Sequence, residues 1–294
     1  MSLRLAIVAD IHHGAPSATK RGDTALGLVE EFARFVRAEK AEHVLDLGDR
    51  ISDIDAATDR RLQGEVAQTM RAIEAPVWHL CGNHDRDHLS VAENEEILGQ
   101  SLGHELHDIA GWRLALWRAD SKIYRGPDHS GFILREADLL WLSRVAQGAD
   151  RPLLVVSHVP VSGHAQTGNY YFQYNPAASV YPMAERARAA LAQARVPVVC
   201  LAGHVHWNTV TTVDGISHLT QQSLTESFTT QGEPAAAMGL LELSEGALRW
   251  EVSGRDPFAL QLRPRAGRWT PPLPDFAAHP EARSQLRGET AGRA

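Results

Sequence analysis

Short apolar runs punctuate the chain at residues 3–9, 43–47, 77–81, 153–156 and 196–202. Each has the length of a strand and lacks the half-polar alternation of a solvated sheet face, so each reads as a buried strand of a largely parallel sheet. Between them, residues 24–40, 59–74, 137–146 and 182–194 carry helical patterning and supply β–α crossovers. Residues 111–119 and 131–135 read as short strands ahead of a helix holding Leu139, Leu140, Trp141 and Leu142, with Trp141 as a core residue. Farther on, residues 210–213, 218–220, 238–243 and 248–252 are apolar or alternating. Turns fall between them at Asp214-Gly215 and Glu245-Gly246, which predicts an antiparallel meander. No internal repeat is evident.

Chemistry collects just past the apolar runs. Their five ends carry, in order, Asp10-Ile11-His12, Gly48-Asp49, Gly82-Asn83-His84-Asp85, Ser157-His158 and Gly203-His204-Val205-His206. One histidine at a strand end is ordinarily a hydrogen-bonded surface or core residue. Acid, amide and imidazole groups at five successive carboxyl ends, where open α/β sheets place their sites, point to a two-metal hydrolase.

These motifs resemble those of the calcineurin-like metallophosphoesterase family, whose pattern DxH, GD, GNH(D/E), (G/S)H and GHxH is present with no ligand position substituted. The likeness covers roughly residues 3–210, with weaker support to about 250. The resemblance implies an α/β fold, a four-layer α/β/β/α sandwich of two mixed sheets flanked by helices. It also implies that Asp10, His12, Asp49 and His206 hold one metal and that Asp49, Asn83, His158 and His204 hold the other, with Asp49 bridging. His84 is then left beside the metals for acid chemistry, and Asp85 is expected to fix its tautomer.

Imidazole and carboxylate donors with one amide oxygen suit manganese or an iron–manganese pair, with zinc and cobalt as further candidates; calcium would want more oxygens. Two such ions about 3.5–4 Å apart can bind a water between them, lower its pKa and clamp attacking and leaving oxygens in an in-line displacement at phosphorus.

Length and composition bound the remainder. A chain of 294 residues with 44% hydrophobic and 22% charged content fits one soluble catalytic domain with decoration, taken as residues 1–262. Residues 263–294, rich in Pro, Arg and Ala, read as a solvated tail, or as an arm that wraps a neighbouring subunit through Trp269 and Phe276. No run is long enough to span a bilayer. Asp10 lies so near the start that loss of a secretory signal would remove the first strand, so a cytoplasmic protein is expected. Cys81 and Cys200 lack CxxC partners and read as buried free thiols. The net charge of −7 argues against a basic surface that tracks nucleic acid, so the anion is expected to be captured locally by metal.

Specificity points elsewhere. Residues 164–181 hold Tyr170, Tyr171, Phe172, Tyr174 and Tyr181 and read as a packed loop or dimer contact, with a lid as the alternative. Residues 221–231 are a second candidate rim, and His13, Trp207 and Asn208 adjoin motif residues. Asp53 stands where the protein serine/threonine phosphatases of the superfamily have arginine, and the first tyrosine, Tyr124, comes too late for the tyrosine ligand of purple acid phosphatases. The remaining resemblance is to small-molecule phosphodiesterases acting on cyclic nucleotides or glycerophosphodiesters. The expected substrate is a small phosphodiester; phosphomonoesterase, nuclease and metal-free protein-binding scaffold are the alternatives.

Overall fold

The computed structural model describes residues 2–127, 129–266 and 274–283. In chain order the elements are β1 (Leu3–Val8), α1 (Ala25–Ala38), β2 (His43–Asp46), α2 (Ala56–Met70), β3 (Val77–His79), α3 (Val91–Leu98), β4 (Glu105–Ile109), β5 (Trp112–Leu116), β6 (Ile123–Arg125) and β7 (Ser130–Phe132). There follow α4 (Glu136–Gln147), β8 (Leu153–Ser157), α5 (Ala184–Leu191), β9 (Val198–Ala202), β10 (Thr209–Val213), β11 (Ile216–Thr220), β12 (Met238–Ser244), β13 (Ala247–Ser253) and β14 (Phe258–Leu262).

Two six-stranded mixed sheets result, ordered β14-β13-β12-β1-β2-β3 and β10-β11-β9-β8-β5-β4, while β6 and β7 form a separate hairpin. Period-two alternation explains how they stack. Leu5 and Ile7 of β1 join Leu154 and Val156 of β8 and Val199 and Leu201 of β9 in one core, which therefore lies between the sheets. The intervening Ala6 and Val8 meet Val29, Phe32 and Val36 of α1 and Val66 of α2. On the far side, Leu153, Val155, Val198 and Cys200 meet Leu142 of α4 and Ala187 of α5. The result is the expected α/β/β/α sandwich, and a strand covered on both faces reads as a continuous apolar run.

Three features depart from the sequence reading. The predicted meander is split. β10 and β11 pair antiparallel with each other, but β11 runs parallel to β9 in the second sheet. β12 instead crosses to lie antiparallel to β1 in the first sheet. Helix α3 is not among the expected elements, although Ser90 and Glu93 form a capping box at its start and Gly99 closes it in the left-handed conformation. Strands β4, β6 and β14 are likewise additions to the predicted set. Trp269 lies outside the described residues.

Candidate metal centre

Five loops leaving β1, β2, β3, β8 and β9 converge at the carboxyl ends of both sheets. Asp10, His12, Asp49 and His206 are buried together, as are Asp49, His158 and His204, with one donor atom from each residue of a group lying within 4.8 Å of the others. Asn83 Oδ1 stands 3.3 Å from His158 Nε2, adding an amide oxygen to the second group. Asp49 is the carboxylate common to both.

The backbone is bent to achieve this. Asp10, His12, Asp49, His204 and His206 all have left-handed φ, between 49° and 71°. Such conformations cost on the order of 1 kcal/mol each outside glycine and persist only where surroundings over-determine them. Here they do. The Asp10 and His12 amides donate to the carbonyls of Gly48 and Asp49, each at 2.9 Å. From behind, Ser223 Oγ donates to Asp10 O at 2.6 Å and Thr225 Oγ1 to Ile11 O at 3.0 Å. Two glycines permit the close packing: a Cβ on Gly82 would fall 2.0 Å from Asp49 Oδ1, and one on Gly48 would fall 2.4 Å from Gly82 N.

Three of the four candidate ligand imidazoles have the ring nitrogen that points away from the cluster tied down, which fixes which nitrogen faces inward; His12 Nδ1 has no such bond. His158 Nδ1 meets Leu47 O at 2.8 Å, His204 Nε2 meets Ala178 O at 2.8 Å, and His206 Nδ1 meets Glu226 Oε2 at 2.6 Å. The inward atoms are short of partners. Asp49 Oδ2 and His204 Nδ1 are buried with no hydrogen bond, and His12 Nε2 faces His206 Nε2 at 2.9 Å.

Electrostatics agree. Burial pushes the Asp10 carboxyl up to about 6, against the pull of His206 and His158. Burial, followed by the nearby charge of Lys20, holds the His12 imidazole neutral well below its usual range. Burial opposes charge on His158 as well, yet Asp49 beside it raises that imidazole to about 9. Among the described residues neither Asp10 nor Asp49 is paired with Lys or Arg. Buried anions and converging lone pairs without a fixed cation are what divalent metal ions satisfy, so the residues present fit two such ions.

His84 sits at the edge of this cluster, with its ring edge-on to His12 at 4.7 Å between centroids. The expected pairing with Asp85 is not formed. Asp53 contacts His84 Nδ1 instead. Asp85 is turned inward, where it accepts from the amides of Gly82, Asp49 and Arg50, all at 2.9 Å, and from Gln63 Nε2 at 2.6 Å. A carboxylate directly after His84 diverges from it and ties the Asp49 and Asn83 loops together, while one four residues past Asp49 reaches back across the turn.

Above the donors lies a cavity of about 430 Å³. Tyr170, Tyr171 and Phe172 of the aromatic segment line it, as do Ile123 and Arg125 of the β6–β7 hairpin. Tyr174 is exposed, and Tyr181 is buried against Trp117 and Phe132. His13, Trp207 and Asn208 do not line the cavity: they bond Glu65, Ala165 O and Gln222. The residues not anticipated are Asp53, which holds His84, and Glu226, which holds His206. The latter lies in the polar 221–231 stretch read only as a rim.

A family profile described as Calcineurin-like phosphoesterase matches residues 3–208. No curated protein matches the chain. Among solved structures, a dimetal phosphatase from Danio rerio is similar with a TM-score of 0.69 at 17% identity, over 90% of this chain and 99% of that one. Purple acid phosphatase PPD1 from yellow lupin seeds is similar with a TM-score of 0.64 at 13% identity, over 90% of this chain and 54% of that one. GAP50, described as the anchor in the inner membrane complex of Plasmodium, is similar with a TM-score of 0.54 at 12% identity, over 96% and 94%. At these identities the likeness is one of fold. No helix among the described residues is long and apolar enough to cross a membrane.

Proposed function

The chain belongs to the calcineurin-like phosphoesterase family, and from that premise we propose that it is a metal-dependent hydrolase of small phosphodiesters, of the cyclic-nucleotide or glycerophosphodiester type. The observation that carries this reading is the convergence of seven buried donors from five loops beside one cavity, which Asp49, Asn83, His204 and His206 line, with neither Asp10 nor Asp49 paired to Lys or Arg among the described residues.

Asp10, His12, Asp49 and His206 would hold one divalent ion, and Asp49, Asn83, His158 and His204 the other. When bound, the ions supply Lewis acidity and a water of lowered pKa, and manganese or an iron–manganese pair suits the donors. The chain does the rest. Glu226, Leu47 O and Ala178 O set the tautomers of His206, His158 and His204. Asp53 holds His84 Nδ1, leaving Nε2 to give a hydrogen bond or proton to the leaving oxygen. Two walls built from separate segments, residues 19–20 with Tyr170 and the β6–β7 hairpin, offer space for a substituent on each ester oxygen, which favours a diester.

Turnover of bis(p-nitrophenyl) phosphate beside p-nitrophenyl phosphate, on manganese-loaded protein with a chelated control, tests the reading. Faster, chelator-sensitive cleavage of the diester is expected. Preference for the monoester would replace it with the phosphatase reading, which the phosphatases among the similar structures recommend as second choice. Silence on both, in protein that cannot be loaded with metal, would favour the scaffold reading.

A second expectation concerns Glu226. Replacing a carboxylate that orients a ligating imidazole typically lowers metal affinity 10- to 100-fold, so Glu226→Gln should weaken binding of one of two manganese ions by about that factor. Titration calorimetry on metal-stripped protein reads this directly; two unaltered sites would remove Glu226 from the centre.

A further inference from the structure

One cation in the cavity has no partner among the described residues. Lys20 lines the wall beside Thr19, Tyr170 and Glu226 and is half-buried. Its backbone is held firmly. Ser17 N donates to Lys20 O at 2.8 Å, Lys20 forms an antiparallel bridge with Glu226, and Arg21 N donates to Thr225 O at 3.0 Å. Its neighbour Thr19 is fixed as well: Ser227 N donates to Thr19 O at 2.6 Å, and Tyr170 OH donates to Thr19 Oγ1 at 3.1 Å. The wall is therefore a built ledge attached to the segment that positions His206.

Among the described residues, the Lys20 ammonium has no carboxylate within ion-pair distance and no hydrogen-bond acceptor; the one bond of its residue to a side chain is made by the amide, to Ser17 Oγ. Glu226 directs its carboxylate to His206 and not to Lys20. Arg125, the other cation on the cavity wall, is paired with Asp87. An ammonium on a cavity wall with no counter-charge is free to meet an anion that enters, and it then makes a charge-assisted bond.

We propose that Lys20 is a specificity-determining residue that recognises a second anionic group, a carboxylate or a further phosphate, carried by the substrate beside the phosphoester that is cleaved. The proposal rests on the hydrolase reading for the identity of that ester. The scissile phosphate has its own electrophiles at the donor cluster, and a substituent that leaves it along the ledge of Thr19 and Tyr170 would meet Lys20. The preferred substrate is then more anionic than a simple dialkyl or diaryl phosphate.

Glycerol 3-phosphate and 3-phosphoglycerate share a phosphate and differ by one carboxylate, which makes them a suitable probe pair. Their dissociation constants are measured by titration calorimetry on the manganese-loaded full chain, with metal content checked in each preparation. Wild type should bind 3-phosphoglycerate about tenfold more tightly, the scale of one charged hydrogen bond. That ratio should fall towards one in Lys20→Met and return in Lys20→Arg. A ratio near one in wild type, or one retained in Lys20→Met, overturns the proposal. Equal weakening of both probes would place Lys20 on the scissile phosphate and also overturn it. Because binding is read without turnover, the two readings separate: inactivity towards nitrophenyl esters counts against hydrolysis, while the ratio alone judges Lys20.

Discussion

His84→Ala should lower turnover by about 10²- to 10⁴-fold, the usual worth of a positioned general acid, while metal content stays at the wild-type level. The separation follows from geometry. The contribution of residue 84 to the donor cluster is its backbone amide, which donates to Asp49 Oδ1 at 2.8 Å and survives in alanine. Its side chain is held from outside by Asp53 and rests edge-on against His12. Asp53→Asn should fall between wild type and His84→Ala, since an amide oxygen can still orient the ring but is a weaker, uncharged acceptor. Near wild-type turnover in fully metallated His84→Ala would remove His84 from the mechanism, and the Asp53 argument with it.

The second large effect lies beneath the site. Arg50 is fully buried and bonds Asp46 Oδ2 at 2.6 Å, Leu80 O at 2.7 Å, Gln63 Oε1 at 3.0 Å and Asp85 Oδ2 at 3.1 Å. Burial alone would raise the Asp46 carboxyl, but Arg50, assisted by His79, brings it down to about 2. Removing one member of such a network leaves buried charges uncompensated. Arg50→Met should therefore destabilise the metal-free protein by about 3–5 kcal/mol, measured by urea unfolding.

The pH dependence has a definite sign. A carboxyl whose folded pKa is depressed contributes stability above its unfolded value of 3.8, and wild type should lose that contribution as pH falls towards about 2. Without Arg50 the loss should begin at higher pH. A change under about 1 kcal/mol would mean that Asp46, His79 and Asp85 are satisfied without the guanidinium, and that the Asp49 and Asn83 loops do not depend on it.

Which parts are legible in the sequence depends on how each residue acts. Strands covered on both faces are apolar throughout, so their ends are sharp, and donors placed at those ends stand out. Asp53 and Glu226 carry no such marker. Each acts through a bond to a residue distant in the chain, 31 positions from His84 and 20 from His206, inside loops whose local pattern is merely polar. Asp85 misleads for the complementary reason: adjacency to His84 in sequence says nothing about where a turning backbone aims the two side chains. The divided meander has a similar origin. Alternation shows which face of a strand is buried, yet β11 and β12 have much the same texture and join different sheets. Helix α3, by contrast, is announced by Ser90, Glu93 and Gly99, and escapes a periodicity reading because its apolar stripe is short.

The left-handed backbone at Asp10, His12, Asp49, His204 and His206 has a consequence for anyone who would evolve this protein towards heat resistance. These are the positions where glycine relieves strain and where deleting a buried charge or imidazole removes a desolvation penalty. A library ranked by melting temperature alone would be drawn to them and would return hardier chains emptied of chemistry. Selection has to retain a metal-dependent signal in every round, because in this molecule the residues that oppose folding and the residues that gather in the donor cluster are largely the same.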